Sequence, residues 1–152
     1  MANYTVALIR PLSPVASVGQ LHASSVVALR RFAIYDITLG VQGAPAMFAN
    51  LWTFQRFTAP GVDTPVLPQP VDPGDPAAIT VAGQLSTAEP TYTAGQVLRS
   101  IPLNQQATYR WAALRDDHRL IAPAVNNNGI GIQTPTCGSV GIVGTAELMF
   151  ND

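Results

Sequence analysis

Apolar and polar positions alternate along this chain in short runs fenced by Gly, Pro, Asn and Asp, the pattern of half-buried strands. Tyr4-Thr-Val-Ala-Leu-Ile-Arg10 reads as a first strand that stops at Pro11. Ser24 to Leu39 is the longest β-type run, and its alternation groups Ala33, Tyr35, Ile37 and Leu39 on one face. Phe32, Ile34, Asp36 and Thr38 fall on the other face. Sixteen residues exceed an ordinary strand. A bend or bulge is therefore expected near Arg30-Arg31, where the chain passes from one sheet to the other. Leu51 to Phe57 alternates cleanly, with Leu51, Thr53, Gln55 and Phe57 opposite Trp52, Phe54 and Arg56. Both sides carry aromatics, so both are expected to be covered.

The last third is the densest part. It contains Thr108 to Leu114, the turn Arg115-Asp-Asp117, His118 to Ala122 closed by Pro123, and Ile130 to Gln133 after Asn126-Asn-Asn-Gly129. A final run covers Val140 to Phe150. Gln96 to Leu103 is a further strand, whose Pro102 assigns its end to a sheet edge. Ile79-Thr-Val81 predicts a short strand or a helical turn. No stretch has the length and period of a good helix. The count is roughly eight strands, which predicts an all-β chain: a jelly-roll sandwich of two antiparallel sheets, built from two Greek keys. At 152 residues a single domain, 1–152, is expected. Between residues 58 and 76 proline is too dense for the middle of a sheet, so this segment is either an extended arm or a long loop.

Composition sharpens this picture. Charged residues make up 11% of the chain, against about 25% in ordinary globular domains. A surface so poor in charge is expected to be covered by a partner. All eight basic residues are Arg. The guanidinium suits semi-buried contacts between subunits, although a GC-rich genome favours the same residue. A net charge of −1 argues against nucleic-acid binding. The N-terminus lacks a secretory pattern, and no run of about 18 apolar residues predicts a membrane-spanning helix.

Candidate chemistry is sparse. His22 and His118 are the two histidines, too few for a cupin-type metal site. Asp116 and Asp117 beside His118 and Arg119 read as a turn, since neighbouring side chains on a strand diverge. Asp63, Asp72 and Asp75 match no calcium-loop spacing. Cys137 has no basic neighbour to activate it. Gly138-Ser-Val-Gly141 lacks the spacing of a nucleophile elbow, and Gly129-Ile-Gly131 reads as strand glycines rather than a phosphate loop. No catalytic residue, no cofactor-binding residue and no metal ligand is therefore predicted, and the chain is read as not an enzyme. Trp52 and Trp111 are each central in a strand, where core packing is the first expectation; a sugar platform or a subunit anchor is the alternative.

The order of these features resembles the small jelly-roll head decoration, or cement, proteins of tailed bacteriophages. The likeness rests on Tyr4 to Arg10, on Arg30-Arg-Phe-Ala-Ile-Tyr-Asp-Ile-Thr38 and on Asp72-Pro-Gly-Asp-Pro-Ala-Ala78. It continues through Leu120-Ile-Ala-Pro123 and Gly129-Ile-Gly-Ile-Gln133 to a last strand ending Phe150-Asn-Asp152. It implies a homotrimer on the outer surface of the phage head that clamps major capsid protein subunits, with no direct contact to nucleic acid or membrane. A carbohydrate-binding or receptor-binding module of a phage tail is the rival expectation.

Overall fold

The computed structural model describes residues 2–24, 29–43, 47–137 and 142–152. Twelve strands follow one another: β1 (Asn3–Pro11), β2 (Gly19–His22), β3 (Phe32–Gln42), β4 (Ala49–Ala59), β5 (Val62–Val66) and β6 (Gln69–Pro70). They continue as β7 (Val81–Ala88), β8 (Thr91–Asn104), β9 (Tyr109–Ala112), β10 (Leu120–Ala122), β11 (Gly129–Thr136) and β12 (Val143–Asn151). One 3-10 turn, Asp116–His118, separates β9 from β10. There is no α-helix among the described residues.

The strands form two antiparallel sheets. The first runs β10-β3-β12-β1-β6, with β9 on the same edge of β3 as β10; the second runs β5-β7-β2-β11-β4-β8. Each sheet has the strand order of a jelly roll at its centre, and the chain alternates between sheets from β1 to β4 and again from β8 to β12 once β9 and β10, both in the first sheet, are taken as one strand. The strand count exceeds the roughly eight expected. Strand β9 and strand β10 share the place of one, while β5, β6 and β7 come from the segment between β4 and β8.

Inward-facing residues of both sheets form one core that includes Tyr4, Val6, Leu8, Phe32, Ile34, Ile37, Leu39, Trp52, Phe54, Ile130, Ile132, Leu148 and Phe150. Phe150 joins its aromatics, stacked on Tyr4 at 5.6 Å and edge-on to Phe32 at 6.1 Å. Two inward stripes end in arginine at opposite ends of the sandwich. Arg10 donates to the Ser17 and Ser86 carbonyls at 3.0 and 2.7 Å. Arg56 forks onto the Ile121 carbonyl of the opposing sheet at 3.2 and 2.9 Å. A planar fork can satisfy backbone oxygens while its stem stays apolar. Part of the arginine assigned from sequence to subunit contacts thus works inside the chain.

The long run departs from expectation. Strand β3 begins only at Phe32 and stays in the first sheet; Leu29 to Arg31 are irregular, and residues 25–28 lie outside the described residues. The passage from the second sheet to the first does fall between β2 and β3, just before Phe32, but the β-bulge itself is at Tyr35, where the ladder to β12 steps from Met149↔Asp36 to Phe150↔Ile34. An extra residue there turns the side chains that follow it over. Phe32, Ile34, Ile37 and Leu39 consequently all enter the core, and Tyr35 leaves it. Alternation without a bulge misassigns Phe32 and Ile34.

The proline-rich segment folds back on its own chain rather than projecting. β5, with Pro65, is the outermost strand of the second sheet, and β6 pairs with β1 at the edge of the first. Edge positions are where a missing donor costs least. The segment is fastened by Tyr4 Oη donating to the Pro76 carbonyl at 3.1 Å, and by Ile79 and Thr80 N–H donating to Asp152 Oδ2 at 2.9 Å each.

Two stretches, 57–63 and 88–92, pair across the outer face of the second sheet. They bring Tyr92 over Gly131 and Asp63 over Gly83, where any Cβ would collide with them. Gln20 ties to Gly61 and to Asp63, the latter at 2.5 Å; Ser17 donates to Glu89, and Tyr92 Oη lies 2.6 Å from Ser17 Oγ. Phe57 is buried beneath this cover. Both sides of β4 are therefore covered, as its aromatics required.

Candidate interaction surface

Ionisable residues are distributed unevenly between the two ends of the sandwich. At one end Pro11, Val143 and Gln42 lie side by side on adjacent strands. The four connections leaving the sheets there, residues 12–18, 43–48, 105–108 and 137–142, contain no Asp, Glu, Arg or His. Their bases are tied together. Leu12 N–H donates to the Ile142 carbonyl at 2.7 Å, Gln105 N–H to Phe48 at 3.0 Å, and Thr134 Oγ1 to Ser13 at 3.3 Å. Of the charges bordering this end, Arg10 and Glu89 are engaged with Ser17, and Arg110, two residues past the 105–108 connection, is paired with Asp36 at 2.6 Å.

This uncharged end presents large apolar side chains. Val15 is 81% exposed, Met47 82% and Phe48 56%. Scattered surface hydrophobes are ordinary, but three on neighbouring connections that lack any ion form a surface that can be covered without desolvating a charge. Methionine adapts to irregular partners and an aromatic supplies anchoring area, both suited to docking on protein.

The other end carries the ions. Arg115, Asp116, Asp117 and Arg119 surround the 3-10 turn, with Arg119 bonded to Asp116 at 2.5 Å and Arg115 to Asp117 at 3.2 Å. All four polar heads are largely engaged with each other at the surface. The cluster is the turn that the spacing implied, and its two carboxylates have separate arginine partners. His118 sits 3.9 Å from Asp117 on the same exposed turn.

Other residues singled out from sequence are scattered. His22 lies on the outer face of the second sheet, near Asp63 and edge-on to Phe57 at 6.5 Å, with burial holding its pKa below the usual value. Asp63 is raised by the same burial, while Asp72 turns back onto Gly74 N–H at 2.9 Å in a separate loop. No group of three or more His, Cys, Asp or Glu able to hold a metal occurs among the described residues. Cys137 is half-buried, and burial raises its thiol pKa. Gly138 to Gly141, with the serine motif, lie outside the described residues. Gly129 and Gly131 serve packing: they make room for Phe57 and Tyr92.

The tryptophans separate. Trp52 is fully buried in the core. Trp111 is half-buried at the edge of the first sheet, with Arg99 over its ring. The uncharged end itself escaped motif reading because it is a property of four stretches far apart in sequence. Its signal was there: none of the connections contains an ion, but only the topology collects them.

No family model, curated protein or solved structure matches this chain.

Proposed function

We propose that the chain is a non-enzymatic decoration, or cement, protein of a tailed-bacteriophage head. It binds the outer surface of the capsid as a trimer and stabilises contacts between major capsid protein subunits, so its place is the virion. The observation that carries this reading is the uncharged end with Val15, Met47 and Phe48. Seating that end on a protein lattice removes apolar area from water and strands no charge. A ligand that binds only the assembled shell stabilises the shell by mass action. The jelly-roll order agrees with the resemblance, and the resemblance supplies the trimeric state.

The rival reading, a carbohydrate module with Trp52 or Trp111 as its platform, is less favoured. Trp52 is enclosed and one face of Trp111 is occupied by Arg99.

Mass photometry of the isolated protein and co-sedimentation with purified empty phage heads test the proposal together. Trimers that pellet with heads, and remain in the supernatant without them, are expected. Monomers that never pellet would overturn it.

A further inference from the structure

At the end of the sandwich opposite the uncharged surface, a cleft of about 500 Å³ opens between β4, β8, β10 and β11. Its origin is a break in the β4–β8 ladder. Gln55 pairs with Val97 and Phe57 with Tyr92, so four residues, 93–96, answer a single residue on β4. Gly95, at φ +73°, takes the left-handed turn this loop needs. Gln55 Nε2 holds the loop by donating to the Thr93 carbonyl at 2.8 Å. The loop forms one wall, and Ile121 and Pro123 belong to the other.

The lining selects for charge. Arg31 and Arg56 both reach the cleft and no carboxylate does. Arg56 is fixed by its fork on Ile121, whereas exposed Arg31 makes no hydrogen bond or ion pair with another described residue. Four uncharged hydrogen-bonding side chains, Thr58, Thr93, Gln96 and Asn128, complete the polar lining. A space of this size lies within the usual range for small-molecule sites and exceeds what a lone phosphate fills. Neutral sugars are generally held by stacking on an exposed aromatic face. Here the one aromatic of the lining, Phe57, is 1% exposed, its ring turned toward His22 and Tyr92. Charge must supply the anchor instead.

We propose that this cleft binds an acidic sugar, a hexuronic or sialic acid unit, whose carboxylate pairs with Arg31 and Arg56 while its hydroxyls meet the threonine, glutamine and asparagine side chains. The unoccupied guanidinium fork of Arg31 matches a carboxylate, Arg56, whose Nε and Nη2 are held by Ile121, adds its charge and its remaining N–H groups, and the surrounding hydroxyl and amide groups both donate and accept, as ring hydroxyls do. An acidic peptide would use the arginines but leave most of the four neutral groups to water. The site is independent of the decoration role, lying at the other end of the molecule.

Titration of the intact protein with glucuronic acid, followed by NMR shifts or calorimetry, tests this against glucose, inorganic phosphate and a hexaglutamate peptide. Saturable glucuronate binding that weakens with salt is expected, with glucose and phosphate at least about tenfold weaker. Arg31→Gln should lose about tenfold or more in affinity at an unchanged melting temperature, and Gln96→Ala a smaller factor. Co-sedimentation with heads should be the same for Arg31→Gln as for the wild type, which separates this site from the docking end. Absence of saturation, equal binding of glucose or phosphate, tighter binding of hexaglutamate, or an unaffected Arg31→Gln variant would each overturn the assignment.

Discussion

The guanidinium of Arg99 lies over the indole of Trp111, 4.2 Å from its centroid, and joins the free edge of one sheet to the free edge of the other. Arg99 belongs to β8, the last strand of the second sheet, and Trp111 to β9 on the edge of the first. A sandwich has two open sides, and here each has its own closure. The proline-rich segment closes one side as β5 and β6, paired with β7 and β1, and the Arg99–Trp111 stack stands on the other. Because Arg99 Nε has no hydrogen-bond partner among the described residues, the ring face is its principal compensation.

Removing either member should therefore loosen this side. Arg99→Ala and Trp111→Ala are each expected to destabilise, and a double-mutant cycle should return a coupling of about 1 kcal/mol. Arg99→Lys should recover part of it, since an ammonium retains charge but not the flat stack. Urea unfolding of the four proteins measures the coupling; additive effects would show that the two residues act separately.

Gly131 and Tyr92 make a second pair whose members need each other. A Cβ at residue 131 would meet the Tyr92 ring and hydroxyl. Gly131→Ala should cost about 1–3 kcal/mol by overpacking. Adding Tyr92→Ala should relieve the clash, so the double variant is expected to lose less than the sum of the single losses. Thermal unfolding of both single variants and the double variant checks this. A full additive loss would mean that the Tyr92 ring is not what the added methyl meets.

What could be read from sequence follows from the range of the forces involved. Period-two patterning is local, so the strands from Tyr4 to Arg10 and Leu51 to Phe57, and the two-sheet class, were legible. The strand count and the faces of β3 were not. The bulge at Tyr35 is set by its partner β12, and no residue in the run announces it. The proline-rich segment was correctly barred from sheet interiors, yet its edge pairing depends on β1 and β7, distant in sequence. The uncharged end and the arginine cleft are assemblies of separated stretches, visible only once the topology brings those connections and strand ends together.

Acidification should act through His22. Burial lowers its folded-state pKa below the ordinary 6.5, against a smaller opposing effect of Asp63. Between those two values the unfolded chain binds more protons, so stability rises with pH through that window and falls as pH drops below about 6.5. Asp63 has the opposite sign. Its folded pKa is raised above 3.8, chiefly by burial, so its favourable contribution is full below 3.8 and is lost as pH rises through the folded value. The melting temperature is thus expected to fall between about pH 7 and about pH 5, and His22→Gln should flatten the slope. An identical slope in the variant would locate the acid sensitivity elsewhere.

The docking end makes the sharpest demand on the proposed function. Val15 and Met47 are more than four-fifths exposed, so replacing either changes little in the folded monomer. Surface substitutions of this kind usually move stability by less than about 0.5 kcal/mol. If the end seats on capsid protein, however, an aspartate there must be buried without a partner, a cost of several kcal/mol. Val15→Asp and Met47→Asp are expected to melt with the wild type while losing at least about a hundredfold in affinity for empty heads. Glutamine at residue 47 should lose far less, since it adds polarity without charge. Leu114→Asp supplies the control: that side chain is 89% exposed but lies on the other end, before the 3-10 turn. Equal loss from Leu114→Asp, or none from Met47→Asp, would move the capsid contact away from the uncharged end.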